Sequence, residues 1–279
     1  MESLLKGLYV VSTPIGNLND ISFRAIKVLM NSDFIVCEDT RHSLKLLNTY
    51  KIKKKLISFH KYNENKKKEE LIRYLKSGKI LSLISDAGTP ILSDPGNILI
   101  KECIKNKINI FPIPGASSIT TAISVAGFDD KFLFFGFLPK KQNELDTVLE
   151  NLKVVNFCLI FFSPGNKINF YLKNFKKNMS NRNIVIAREM TKIHESFYRD
   201  TVENINYFTK TLKGEITIVL SQPTKVKEVI KDINIKIIAK AKKLLKKYSL
   251  KDTVDIIYSQ EKVPRKTIYK ICLEEKNKI

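Results

Sequence analysis

Four short apolar runs in this chain each end in a loop of the residue types that hold ligands and accept protons. Ile80-Leu81-Ser82-Leu83-Ile84 ends in Ser85-Asp86-Ala87-Gly88-Thr89-Pro90, with Leu92 and Ser93-Asp94-Pro95-Gly96 just beyond. Residues 8–11 end in Ser12-Thr13-Pro14-Ile15-Gly16-Asn17, and residues 34–37 in Glu38-Asp39-Thr40-Arg41-His42-Ser43. Residues 108–111 end in Pro112-Ile113-Pro114-Gly115-Ala116-Ser117-Ser118. Gly88 permits a backbone conformation that a Cβ hinders, and Pro90 fixes φ and removes a donor, so the chain must turn here rather than run on into a helix. Glu38, Asp39, His60, Glu64 and Glu189 are the groups that could take a proton from a bound hydroxyl. For Asp39 the alternative is capping the helix that follows. No G-x-G-x-x-G follows the first run and no P-loop pattern occurs, which disfavours a dinucleotide site and a nucleoside triphosphatase.

Helical patterns at 21–29 and 69–75 lie between these runs, and a helix at 116–126 follows the last, with Ser117 and Ser118 available to cap it. This is βαβ punctuation and implies a mainly parallel sheet with its loops at the carboxyl edge, where open α/β sheets bind ligands. A second unit starts near 128, with strands expected at 132–135, 157–161, 184–186 and 216–220 and an alternating strand at 194–199, so its sheet should be mixed. From 225 the composition turns to Lys-rich amphipathic helix, followed by two short helices at 250–258 and 267–273. The expected domains are therefore 1–127, 128–224 and a basic helical extension, 225–279.

The 279 residues carry a formal charge of +21, which suits a polyanionic partner, although the excess of Lys, Ile and Asn also fits a compositional bias. The four cysteines and three histidines lack metal-ligand spacing, so no metal is expected. The uncharged run 108–128 is interrupted by Pro112, Pro114 and Gly115, which argues for buried structure rather than a membrane span. No leader pattern is read at the N-terminus, and a cytoplasmic location is expected.

The motifs quoted above occur in order with Asn63-Glu64 after His60, Gly-Phe-Leu-Pro at 136–139 and Ala-Arg-Glu-Met-Thr-Lys at 187–192. Together they resemble the tetrapyrrole-methylase-type (class III) S-adenosylmethionine-dependent methyltransferases over most of the chain. Within that group they are most similar to enzymes acting on the ribose 2′-oxygen of a cytidine in small-subunit rRNA. The resemblance implies a two-domain α/β fold with S-adenosylmethionine in the cleft between domains, a ribosomal RNA or subunit as partner, and a homodimer. It places Pro14, Asp86, Ala87, Gly88, Thr89, Leu92, Ser117 and Ser118 at the cofactor, with Ser163 as a further loop residue. Glu38, Asp39 and His60 are then the catalytic candidates. Arg41, Asn63, Glu64, Arg188 and Glu189 are candidates for substrate contact, Arg188 and Glu189 alternatively pairing with each other. One departure stands out: Ser163-Pro164-Gly165-Asn166-Lys167 replaces the family's usual Glu, small residue, Pro, His and Arg. Two alternatives remain open here, a methyltransferase for a small tetrapyrrole-like molecule and a non-catalytic rRNA-binding assembly factor.

Overall fold

The computed structural model describes residues 4–224, 236–261 and 263–277. The first sheet is built from β1 (Gly7–Val11), β2 (Phe34–Cys37), β3 (Lys55–Ser58), β4 (Ile80–Leu83) and β5 (Ile110–Ile113), all parallel, in the order β3-β2-β4-β1-β5. Helices α1 (Phe23–Asn31), α2 (Thr40–Thr49), α3 (Glu64–Lys76), α4 (Asn97–Lys105) and α5 (Ser118–Ser124) connect or follow the strands. Alternate residues of β1 serve opposite faces, as period-two geometry requires. Leu8 packs with Leu71, Leu75 and Leu99, whereas Tyr9 and Val11 pack with Ala25, Val28 and Leu47. Each fully buried aliphatic side chain of this kind contributes about 1.5–3 kcal/mol.

Local sequence explains where these elements begin. Ser22 caps α1 by accepting from the Ala25 amide, and Asp39 caps α2 by accepting from the Arg41 amide at 2.8 Å. Three expectations shift. The helix expected over 69–75 starts earlier, at Glu64, and so takes in Lys66-Lys67-Lys68. The fifth strand is displaced to residues 110–113 and includes Pro112, which this edge position tolerates because only β1 pairs with it. Neither Ser117 nor Ser118 caps α5: Ser117 takes the N-cap position without a side-chain bond to the helix.

The second sheet holds β6 (Phe132–Phe137), β7 (Cys158–Pro164), β8 (Asn183–Arg188), β9 (Ser196–Thr201) and β10 (Glu215–Leu220), ordered β6-β7-β10-β8-β9. Only β6 and β7 are parallel, so this sheet is mixed. Helices α6 (Gln142–Leu152) and α7 (Ile168–Asn178) cover one face through Leu145, Leu149, Leu172 and Phe175. The other face offers Ile160, Val185, Ala187 and Val219 to Ile15, Ile119 and Ala122. That shared apolar layer joins the two sheets, and residues 1–222 form one compact unit. Arg182 is buried in the second half and donates to the carbonyls of Val155, Phe157 and Ser221.

Residues 223–279 form a second unit. Within it lie α8 (residues 236–244), α9 (Leu250–Gln260) and α10 (Arg265–Lys276), packed through Ile237, Ala241, Val254, Ile257, Ile268 and Cys272. Residues 225–235 of the expected basic extension lie outside the described residues. No described helix is long and apolar enough to cross a membrane.

Candidate active site

The strand order sets β4 beside β1, so the loops that follow them meet although they lie far apart in sequence. Thr13 and Gly88 form an isolated bridge, with the Thr13 amide donating to the Gly88 carbonyl at 2.9 Å and the return bond at 3.1 Å. The Thr89 hydroxyl joins a third loop, lying 3.0 Å from Ser12 Oγ and donating to the Ala116 carbonyl at 3.2 Å. Gly88 has φ +79°, and a Cβ there would lie 3.1 Å from Ile15 Cγ2. Only a residue without that atom brings its backbone to the floor of the cleft unstrained.

Beyond Pro90 the backbone is strained. Ile91 and Ser93 have φ of 78° and 74°, a region an L-residue rarely occupies and a β-branched one least of all. Such conformations cost on the order of 1–3 kcal/mol each and cluster where a ligand is clamped. Between and after them, Leu92 and Asp94 face the cleft. The opposite wall has the same character. Glu189 and Thr191 also have positive φ, and the Asn17 amide donates to Thr191 Oγ1 at 3.0 Å, tying the two halves together.

These loops enclose a cleft of about 460 Å³, within the usual range for small-molecule sites. Its apolar lining includes Ile15, Ile119, Phe162, Met190 and Ile216. Its polar lining is acidic: Glu38, Asp86 and Asp94 share it. Burial pushes the Asp94 carboxyl up to about 6, helped by the charges of Glu38 and Asp86 and opposed by a hydrogen bond from Ser85. Glu38 is also raised, by burial first and then by Asp86, with the His60 charge opposing. Lys192 bridges Glu189 and Glu215 at 3.0 and 2.8 Å, and these bonds raise its pKa against the effect of burial. The cation is thereby neutralised, and the cleft keeps its negative character.

Of the residues singled out in the sequence, Glu38, Asp86, Ala87, Gly88, Thr89, Leu92, Ser117, Ser118 and Ser163 line this cleft. Pro14 does not; it lines an adjoining chamber. Asp39 is the α2 cap, and the Arg41 side chain is 91% exposed beside it. Asn63 holds its own loop, accepting from the His60 amide and donating to the Ser58 carbonyl. His60 acts on Glu38 through its charge but is not in the cleft wall, and Glu64 opens α3 away from it. Arg188 and Glu189 hydrogen-bond to other partners, although the Arg188 charge helps to lower the Glu189 pKa. Arg188 donates to the Lys213 and His194 carbonyls, and Glu189 accepts from the Glu215 amide and Lys192.

Residues 214–217, together with Phe137, Met190 and Lys192, also line the cleft and carried no assignment in the sequence. The one local sign was Gly214-Glu215 before the last strand; a Cβ on Gly214 would lie 2.4 Å from the Glu189 carboxyl. The departing segment 163–167 is closely packed. The Gly165 amide donates to the Gly214 carbonyl, and a Cβ at Gly165 would lie 2.4 Å from the Leu212 carbonyl oxygen.

Residues 7–206 match the Tetrapyrrole (Corrin/Porphyrin) Methylases, and the chain belongs to this methylase family. Within it the chain belongs with the proteins named ribosomal RNA small subunit methyltransferase I. It is 44% identical to the Thermotoga maritima protein of that name over 217 residues, 77% of this chain and 97% of that one. It is 38% identical to the Rickettsia prowazekii protein over 278 residues, 98% of each. Among solved structures, the methyltransferase CobJ superposes with a TM-score of 0.59 at 14% identity, covering 77% of this chain and 94% of that one. A Thermus thermophilus uroporphyrin-III C-methyltransferase complexed with S-adenyl homocysteine superposes at 0.54 and 11% identity, over 79% and 99% of the two chains.

The chain is a methyltransferase, and the donor expected from its sequence motifs is S-adenosylmethionine. The cleft fits that molecule. Apolar walls at Ile119, Phe162 and Met190 suit an adenine ring, and the bare backbone at Gly88 offers hydrogen bonds. Glu38, Asp86 and Asp94, with Lys192 held by Glu189 and Glu215, suit a sulfonium and an ammonium.

Proposed function

We propose that this protein methylates the ribose 2′-oxygen of a cytidine in the RNA of the small ribosomal subunit. The observation that carries the proposal is the match, along 98% of the chain, to a relative named for methylating small-subunit RNA. When bound, S-adenosylmethionine supplies an electrophilic methyl group on a sulfonium. Everything else falls to the protein, and positioning is its main contribution. The carboxylates Glu38, Asp86 and Asp94 hold the cationic end, and the apolar walls exclude water. Glu38 accepts the proton of the attacking hydroxyl; its raised pKa makes it a better base than an exposed carboxylate. Asp39 serves by holding α2, and His60 by tuning Glu38.

The formal charge of +21 supports an RNA partner, since each lysine set near a phosphate gains from counterion release. Arg41 and Lys66 are exposed around the loops that follow β2 and β3. The protein acts in the cytoplasm as a homodimer. Phe132, Phe135 and Phe137 lie exposed on the edge strand β6, and a second copy is the partner that would cover them. Sedimentation equilibrium checks this, and a monomer at all concentrations would remove the dimer.

Transfer of labelled methyl to small subunits lacking the modification, with the labelled nucleotide mapped, tests the function. Label on one cytidine 2′-oxygen is expected. Donor binding without transfer to subunits would overturn it.

A further inference from the structure

A second chamber of about 310 Å³ adjoins the cleft. It lies between the loop after β1, the early turns of α2 and the loop after β4. The two spaces share a wall of Ile15, Asp86, Ala87, Lys192 and Glu215. The chamber differs from the cleft in character. Its apolar floor is Ile15, Leu46 and Ile84, while His42 and Lys45 project from α2 at its border. Ser43 is 3% exposed, and its hydroxyl has no hydrogen-bond partner beyond the neighbouring Cys37 thiol.

We propose that this chamber receives the acceptor nucleoside: one nucleotide swung out of the RNA, its ribose at the Asp86–Ala87 wall and its flanking phosphates by His42 and Lys45. This rests on the RNA reading above. The volume admits one base with its ribose and excludes a stacked helix, so the nucleotide must leave the stack, as it does for other enzymes acting within nucleic acids. The base lies on Leu46 and Ile84. Phosphates at the border find His42 and Lys45, and of the cleft's four carboxylates the chamber shares only Asp86 and Glu215, whereas Glu38 and Asp94 face the cleft alone. That contrast assigns the anionic ligand to the chamber and the cationic one to the cleft. In the transfer the 2′-oxygen forms a bond to the methyl carbon as the carbon–sulfur bond breaks. The electron pair of the broken bond stays on sulfur, and the hydroxyl proton passes to the Glu38–Asp86 carboxylates and then to water.

Leu18 lines the chamber but not the cleft and is 41% exposed, so Leu18→Trp fills the space without disturbing the core. Turnover on small subunits should fall about tenfold or more in kcat/KM, the scale expected when a reacting group is displaced. The donor affinity by calorimetry and the melting temperature should stay at the wild-type values. A direct readout uses cytidine 3′,5′-bisphosphate, which carries the ribose hydroxyl and both phosphates, added to donor-saturated protein. Amide shifts should appear at 13–18 and 42–46. Wild-type turnover by Leu18→Trp, a parallel loss of donor affinity, or shifts confined to 117–118 and 163–164 would each overturn the proposal. If the wild-type protein transfers nothing to subunits while the bisphosphate shifts residues 42–46, the RNA reading fails and the chamber stands.

Discussion

Burial and the charges of Glu38 and Asp86 raise Asp94 to about 6, so the cleft loses negative charge as the pH falls through that value. A cation bound there competes with the proton. Donor affinity should therefore be constant above about pH 7 and weaken below about 6, by up to about tenfold per unit. Asp94→Asn should bind less tightly at neutral pH and lose most of that dependence, which titration calorimetry across the range would read. An Asp94→Asn profile as steep as the wild type would remove Asp94 from the donor site. Gly88 offers a second test. Its left-handed backbone and the approach of Ile15 mean that Gly88→Ala should cost about 1–2 kcal/mol of stability and lower donor affinity as well. Equal donor affinity in the variant would show that the Gly88 backbone is not part of the cradle.

At the scale of elements, the strands of the first sheet were readable because apolar runs and Gly, Pro, Ser and acidic punctuation are local signals. Eight of the nine site candidates in the cleft come from the loops after β2, β4 and β5, which a parallel sheet sets along one edge, and Ser163 comes from β7. The opposite wall was not readable. It is assembled by antiparallel pairing of β10 with β8, which sets Ile216 across from Arg188, and register between distant strands leaves no mark at either site. Pro112 was read as a stop because proline is rare inside strands; only the edge position makes it acceptable. Arg182 was invisible for a similar reason, since its three carbonyl partners come from the segment before β7 and from the residue after β10. Burial lowers its pKa to about 10, yet its guanidinium still donates to three carbonyls. Arg182→Ala should destabilise the fold by about 2–4 kcal/mol, visible as an early denaturant midpoint. Stability within about 0.5 kcal/mol of wild type would mean that water replaces the guanidinium without loss.

The molecule divides after residue 222 into a methylase body and a small helical unit with its own apolar centre. A chain truncated there should fold and bind donor like the full protein. Its affinity for small subunits should fall and depend less steeply on salt, because lysines of the helical unit would no longer displace counterions. An unchanged salt slope would take that unit out of the RNA contact. The strand order also governs when the cleft can exist. Leu8 of β1 pairs with Leu81 and Ile110, about seventy and about a hundred residues further along. At bacterial synthesis rates the first strand, with Leu8 and Val11 destined for complete burial, waits about 5–20 s outside the ribosome before its second neighbour emerges. For that interval an apolar strand is unpaired on both sides or on one, open to chaperones and to other nascent chains. This methyltransferase is thus, while being made, at its most vulnerable in the strand that later anchors its cleft.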